Sequence, residues 1–311
     1  MPALEHRPLG TSGIEVSALA LGSWRTYERM SRGDGLAVMR AAREAGIDFL
    51  DDARYDDETG EAPIPTGYSE VVFGELFRAS GWEREEVVVS NKLWWEFWPE
   101  QSAAGEIDAS LGRMGLDHLD LIYSEKRPEG LSVAEVVESA TGLIAAGKAR
   151  VWGVLNWPAD EIAEAGHVAL AEGVPAPCAA QLAYNLVWRS TVEDEAVVAA
   201  LDSSGASVVA SAVLGFGALT GRGRTGRAAE TPDTADWQRM FEVGERLRFL
   251  AAELDTSPVR LAIAFALSNP HVAAVLFGAS RPEQVVENVG ALELLERLGE
   301  DELAEVRALA A

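Results

Sequence analysis

The chain has 311 residues, 48% hydrophobic and 24% charged, enough for one large α/β domain or two small ones. A formal charge of −24 argues against nucleic acid or an anionic membrane as partner, so any anionic ligand needs a local basic patch. The lone cysteine, Cys178, excludes an internal disulfide and fits a reducing cytoplasm; no secretory signal is expected at the N-terminus, and no apolar run is long enough to cross a bilayer.

Residues 7–20 alternate apolar and polar around Gly10 and Ser12-Gly13, which predicts a hairpin leading into a first long strand, Val16 to Leu21. A unit of apolar strand, loop and amphipathic helix then recurs. Strands are expected at 16–21, 47–51, 87–92, 119–124, 150–155, 179–184, 207–213 and 272–277. Helices are expected at 35–45, 69–80, 100–114, 133–146, 159–172, 193–203, 237–254 and 281–292. Ser257-Pro258 opens a further helix, and an acidic one covers roughly 300–310. Gly147, Gly173 and Gly205 stand at helix stops.

Eight strands alternating with helices predict one (β/α)₈ barrel over residues 1–311, with an N-terminal β-hairpin and a C-terminal helix. A doubly wound sheet is the alternative, but no glycine fingerprint opens the helix after the first strand. The GxGxxG at Gly221–Gly226 precedes no expected helix and reads as coincidence. Loops 56–67 and 215–235 are long enough to act as lids on the catalytic rim.

Charged residues close apolar strands at two neighbouring positions. Gly46-Ile-Asp-Phe-Leu-Asp-Asp-Ala-Arg-Tyr55 ends a strand in Asp51 and Asp52, with Tyr55 just beyond. Val87-Val-Val-Ser-Asn-Lys92 ends the next in a lysine. A buried ammonium needs a carboxylate, and adjacent staves make Asp51 the natural partner of Lys92. Tyr55 then lies within reach of the ammonium, which would lower the phenol's pKa and make it a proton donor.

These segments resemble the aldo-keto reductases, and the similarity covers nearly the whole chain. Lys148-Ala-Arg-Val-Trp-Gly-Val-Leu-Asn156 and Gln181-Leu-Ala-Tyr-Asn185 are similar to the family's motifs at strands five and six. Gly278-Ala-Ser-Arg-Pro-Glu-Gln-Val-Val-Glu-Asn288 matches its cofactor segment at helix eight, and looks most like the branch that includes potassium-channel β subunits. The resemblance implies that Asp51, Tyr55 and Lys92 are catalytic. It also implies that Asn156 and Gln181 hold a nicotinamide carboxamide. Helix chemistry supports a phosphate near Gly278, Ser280 and Arg281, where free N–H groups meet a hydroxyl and a cation. Gln284, Glu287 and Asn288 share one helix face and suit the adenosine half. Arg222, Arg224 and Arg227 supply the basic patch for a pyrophosphate, and Ser280-Arg281 favour NADP(H) over NAD(H).

The family pattern is broken in three places. Tyr55 follows Asp51 by four residues rather than five, so Tyr68 competes as the donor. The family histidine at strand four is missing: counting forward from Asp120 puts Glu125 there, counting back from Arg127-Pro128 puts Lys126 there, and His118 lies too early. In one branch of the family a glutamate at that position accompanies reduction of a conjugated C=C bond of steroids. In Ala210-Ser-Ala-Val-Leu214, Ser211 stands where a stacking aromatic is usual, while Ser211 and Leu214 keep their places beside the cofactor. Trp24, Trp94, Trp95, Trp98, Trp157 and Trp188 fall near strand ends, and Trp24, Trp94, Trp95 and Trp157 are the expected wall for a bulky apolar or ring-shaped substrate. The expected activity is NADP(H)-dependent reduction of a carbonyl or conjugated C=C bond of a small molecule. The alternatives are a cofactor-binding sensor with little turnover, and an isomerase or lyase that lost the cofactor.

Overall fold

A computed structural model describes residues 4–310. The chain opens with an antiparallel hairpin of β1 (His6–Pro8) and β2 (Glu15–Ser17), followed by the first barrel stave, β3 (Leu19–Gly22). Next come α1 (Arg32–Glu44), β4 (Phe49–Asp51), α2 (Tyr68–Ser80), β5 (Val88–Leu93), α3 (Ala103–Met114) and β6 (Leu119–Ser124). They are followed by α4 (Val133–Ala145), β7 (Ala149–Leu155), α5 (Ala159–Glu172) and β8 (Ala179–Ala183). The last part holds α6 (Ser190–Glu193), α7 (Glu195–Ser204), β9 (Ser207–Ser211), α8 (Ala235–Glu253), α9 (Pro258–Leu267), β10 (Val272–Phe277), α10 (Pro282–Arg297) and α11 (Glu300–Ala308).

The eight strands β3 to β10 close into one parallel barrel, because β10 pairs with β3 as well as with β9. Closure leaves no sheet edge, which excludes the doubly wound alternative. The expected first strand is split. Val16 belongs to the hairpin, whose Leu9, Ile14 and Val16 pack against barrel-interior Ala20, Phe49, Leu121 and Val209 and seal one end. Gly10 makes this seal possible: its φ is +53°, and a Cβ there would meet the Cys178 and Gly205 carbonyl oxygens at 2.2 and 2.4 Å.

Local chemistry sets the helix starts. Ser31, Ser102, Ser132 and Ser257 each accept a backbone N–H of the first turn, and Ser132 shares a capping box with Glu135. Loop 215–235 is less open than expected: it folds into two 3₁₀ turns, Gly215–Thr220 and Gly226–Glu230. Among the described residues no helix is long and apolar enough to cross a membrane.

Candidate active site

Strand register assembles the floor of the site. Asp51 ends β4 opposite Ser90 of β5, and Lys92 lies two residues further along the same face. Lys92 Nζ donates to Asp51 Oδ1, which also accepts the Ser90 hydroxyl. Gln181 Nε2 approaches Asp51 Oδ2 at 3.5 Å. Asp51 and Lys92 are each 2% exposed, so the pair replaces solvent for both charges. Below it, the Lys92 ammonium lies 4.8 Å from the ring centre of Tyr123.

Tyr55 stands at this floor, half-buried and edge-on to Trp94 at 6.1 Å. The insertion after it is a closed excursion. Gly67 N donates to Tyr55 O, and Asp56 bridges Thr66, so the chain returns to its point of departure and α2 starts at once. Tyr68 therefore sits outside, its hydroxyl receiving Arg32 at 3.0 Å and its ring beneath that guanidinium. The expected lowering of the Tyr55 pKa is corrected by the structure. No hydrogen bond runs from Lys92 to Tyr55, and burial, then the Asp51 charge, hold the phenol well above its ordinary value.

The ladder distinguishes Glu125 from Lys126. Glu125 N donates to Leu93 O at 2.9 Å, continuing the β5–β6 pairing. Glu125 is thus in phase with Leu121 and Tyr123, which belong to the barrel-interior cluster, while Lys126 is exposed. Burial raises the Glu125 carboxyl pKa, with Lys126 acting against it. The Glu125 side chain nevertheless does not line the main cavity, which corrects its expected contact with substrate. His118 begins β6's approach at the opposite end, its carbonyl held by Arg84.

One cavity of about 850 Å³ joins this floor to the opening of α10. Asp51, Tyr55 and Lys92 line it, as do Asn156, Gln181, Ser211, Leu214, Arg222, Gly278, Ser280, Arg281, Gln284, Glu287 and Asn288. Two features fit a nicotinamide carboxamide. Gln181 Oε1 is buried without a hydrogen-bond partner, and Asn156, at φ +55° just past the end of the neighbouring stave, lines the cavity beside it, its N–H donating to Gln181 O. The α10 opening differs from expectation. Gln284 Oε1 accepts from Ser280 N at 2.7 Å and Arg281 N at 3.2 Å, so Gln284 caps the helix while lining the cavity. Arg224 turns away to Asp233 and the Phe241 ring. Arg227 lines the cavity, donates to the Trp24 and Arg25 carbonyls, and has its pKa lowered by burial and by Arg25. The glycine run 221–226 opens no α-helix, but Arg222, Thr225 and Gly226 border the cavity.

The aromatic wall is only partly as expected. Trp24 and Trp94 line the cavity, but Trp95 and Trp157 do not. Both are packed behind the rim, where Trp95 Nε1 donates to Ser124 Oγ and Trp157 Nε1 to Glu125 O, bracing the end of β6. In their place stand Trp188 and Phe216, the latter edge-on to Trp24 at 5.3 Å. Phe216 lies between two glycines at φ +52°, and that Gly-Phe-Gly spacing was the signal available in the sequence.

Residues 18–311 match the model of the aldo/keto reductase family. The chain belongs to that family. Curated relatives include a probable voltage-gated potassium channel subunit beta of Oryza sativa subsp. japonica, 30% identical over 98% of this chain and 96% of that protein. A putative voltage-gated potassium channel subunit beta of Schizosaccharomyces pombe is 31% identical, covering 94% of this chain and 89% of the relative. A probable subunit of the same name from Arabidopsis thaliana is 27% identical, covering 94% and 92%.

Proposed function

We propose that this protein is an NADP(H)-dependent oxidoreductase that reduces the carbonyl, or a conjugated C=C bond, of a bulky apolar or ring-shaped small molecule. The observation that carries this reading is the buried Asp51–Lys92 pair under Tyr55, in the same cavity as the unpaired Gln181 oxygen and the cationic end of α10. Gln181 and Asn156 would hold the carboxamide, and Arg222, Ser280 and Arg281 the phosphates. The reduced nicotinamide, when bound, supplies the hydride.

Tyr55 carries the proton. Its raised pKa keeps the phenol protonated at rest, which is the state a donor needs. Lys92 acts as Tyr55 gives up that proton, when the ammonium meets the forming phenolate and offsets its charge. Asp51 and Ser90 keep Lys92 in place. Trp24, Trp94, Trp188 and Phe216 shape an apolar chamber for the substrate and exclude water. A small molecule is the only partner this reading requires.

A second reading, a cofactor-binding regulatory subunit with little turnover, is favoured by one observation. With Glu125 outside the cavity lining, Tyr55 has no second polarising group beside it from β6. The relatives are potassium channel subunits beta by name, which points the same way. NADPH fluorescence titration followed by turnover on aldehydes, ketones and enones separates the readings. No binding overturns both, and binding without oxidation of NADPH on any of them leaves the regulatory one.

A further inference from the structure

Three carboxyl groups lie buried at or behind the cavity floor: Asp51, which lines it, and Asp52 and Glu70 beyond, none more than 2% exposed. Two of them have cations. Asp51 holds Lys92; Glu70 holds Arg113 and accepts the Asn91 amide at 2.8 Å. Asp52 has no cation. One of its oxygens accepts the Ser23 hydroxyl, and the other is buried with no partner. Its backbone carbonyl lies 3.5 Å from Lys92 Nζ, so Asp52 sits beside the ion pair without sharing it.

The surroundings decide the protonation state. The groups facing Asp52 are Asp51 and Tyr55 from its own segment, Glu70 from α2, Lys92 from β5, and Ser23 and Tyr27 from the stretch after β3. Lys92 is the one cation among them and is committed to Asp51. An ionised carboxylate there would forgo several kcal/mol of hydration for the Ser23 hydroxyl and the Ala53 backbone N–H, with no cation. A proton removes that charge and gives the unpaired oxygen a hydrogen. Burial accordingly pushes the Asp52 pKa well above the carboxylate range, and the Glu70 and Asp51 charges add to it.

We propose that Asp52 is a positioning residue held as a neutral carboxylic acid, which leaves Asp51 the sole anion on Lys92 and keeps the ammonium available to Tyr55. The second half of this proposal rests on the oxidoreductase reading; the first half does not. When pH rises far enough to ionise Asp52, a second buried anion forms beside the Asp51–Lys92 pair, and its charge raises the Tyr55 pKa further. Proton donation by Tyr55 then slows.

Infrared spectroscopy of the wild type against Asp52→Asn at neutral pH tests the first half. The carbonyl band of a protonated carboxyl is expected in the wild type and is lost in the variant, which keeps the oxygen that accepts from Ser23. Glu70→Gln removes a neighbouring charge and moves the titration of that band to lower pH. A wild type without the band, or a band that survives in Asp52→Asn, overturns the neutral acid. The pH profile of kcat tests the second half: across the ionisation of Asp52 the wild-type reduction rate steps down to a lower plateau, and Asp52→Asn lacks that step. Identical alkaline profiles overturn the positioning role. If the band behaves as expected and neither protein turns over any substrate, the neutral acid stands, and the positioning role falls together with the oxidoreductase reading.

Discussion

Removing the Tyr55 hydroxyl isolates the proposed donor from everything else in the cavity. Tyr55→Phe is expected to lower kcat by about 10²–10⁴, the usual loss on deleting a general acid, while NADPH titration stays unchanged. Tyr68→Phe leaves kcat as it is, because Arg32 holds that hydroxyl outside the cavity. Turnover that survives in Tyr55→Phe returns the donor role to another group. The ion pair beneath makes a different prediction. Asp51→Asn strands Lys92 as a buried cation and is expected to destabilise the fold by about 3–5 kcal/mol in denaturant unfolding. Adding Lys92→Met to that variant recovers part of the loss, because the buried charge goes with it. Asp51 and Lys92 were legible in the sequence because a charge closing an apolar strand requires a partner. Glu125 against Lys126 was not, since the choice depends on one further hydrogen bond of the β5–β6 ladder.

Two loops meet above the cavity through one side chain. Arg25 pairs with Glu58 of the 56–67 excursion at 2.6 Å and with Glu230 of the loop after β9 at 3.0 Å, and Arg29 also holds Glu58. The indole of Trp24 lies against both Arg25 and Arg227. All these carboxylates are substantially exposed, so each pair is worth about 0–1 kcal/mol to the fold. Arg25→Gln is therefore expected to leave the unfolding midpoint nearly unchanged. It should speed NADPH dissociation several-fold in stopped-flow fluorescence, with the gap from wild type narrowing as salt rises. Equal dissociation rates would show that these loops do not close over the cofactor. Backbone strain gathers at the same rim: Arg25, Trp95, Asn156 and Ala212 follow alternate staves and all have φ between +52° and +62°. Each non-glycine residue held this way costs on the order of 1–3 kcal/mol, and Asn156 and Ala212 border the cavity.

At the scale of the whole molecule, the hairpin is pinned to the barrel by His6. Its ring bonds Leu4 O at 2.9 Å and Asp48 at 2.7 Å. Burial pulls the imidazole pKa down, but the Asp48 hydrogen bond and charge outweigh that, and the net direction is up. A pKa raised in the fold gives stability that is complete below the unfolded value of about 6.5 and is lost as pH rises through the folded value. The side chain is 37% exposed, so solvent screening keeps the effect under roughly 1 kcal/mol. Thermal unfolding across this window should show a small decline that His6→Gln abolishes; a variant with the wild-type slope would show that His6 does not titrate with the fold. Asp52 contributes with the same sign from lower pH upward, starting near the unfolded carboxyl value of about 3.9, so Asp52→Asn and His6→Gln flatten different parts of the curve.

The sequence alone determined the alternation of strands and helices, the helix caps and stops, and the carboxylate and ammonium at neighbouring strand ends. Periodicity, serine caps and the cost of burying charge act within a few residues of the chain, so they can be read along it. Only the tertiary structure decided which tryptophans face the cavity, that Gln284 caps its own helix, that the 56–67 excursion returns to Tyr55, and that Asp52 is left without a cation. Those outcomes depend on closure of the barrel, which brings together residues far apart in the chain and leaves each buried polar group only the partners that arrive with it.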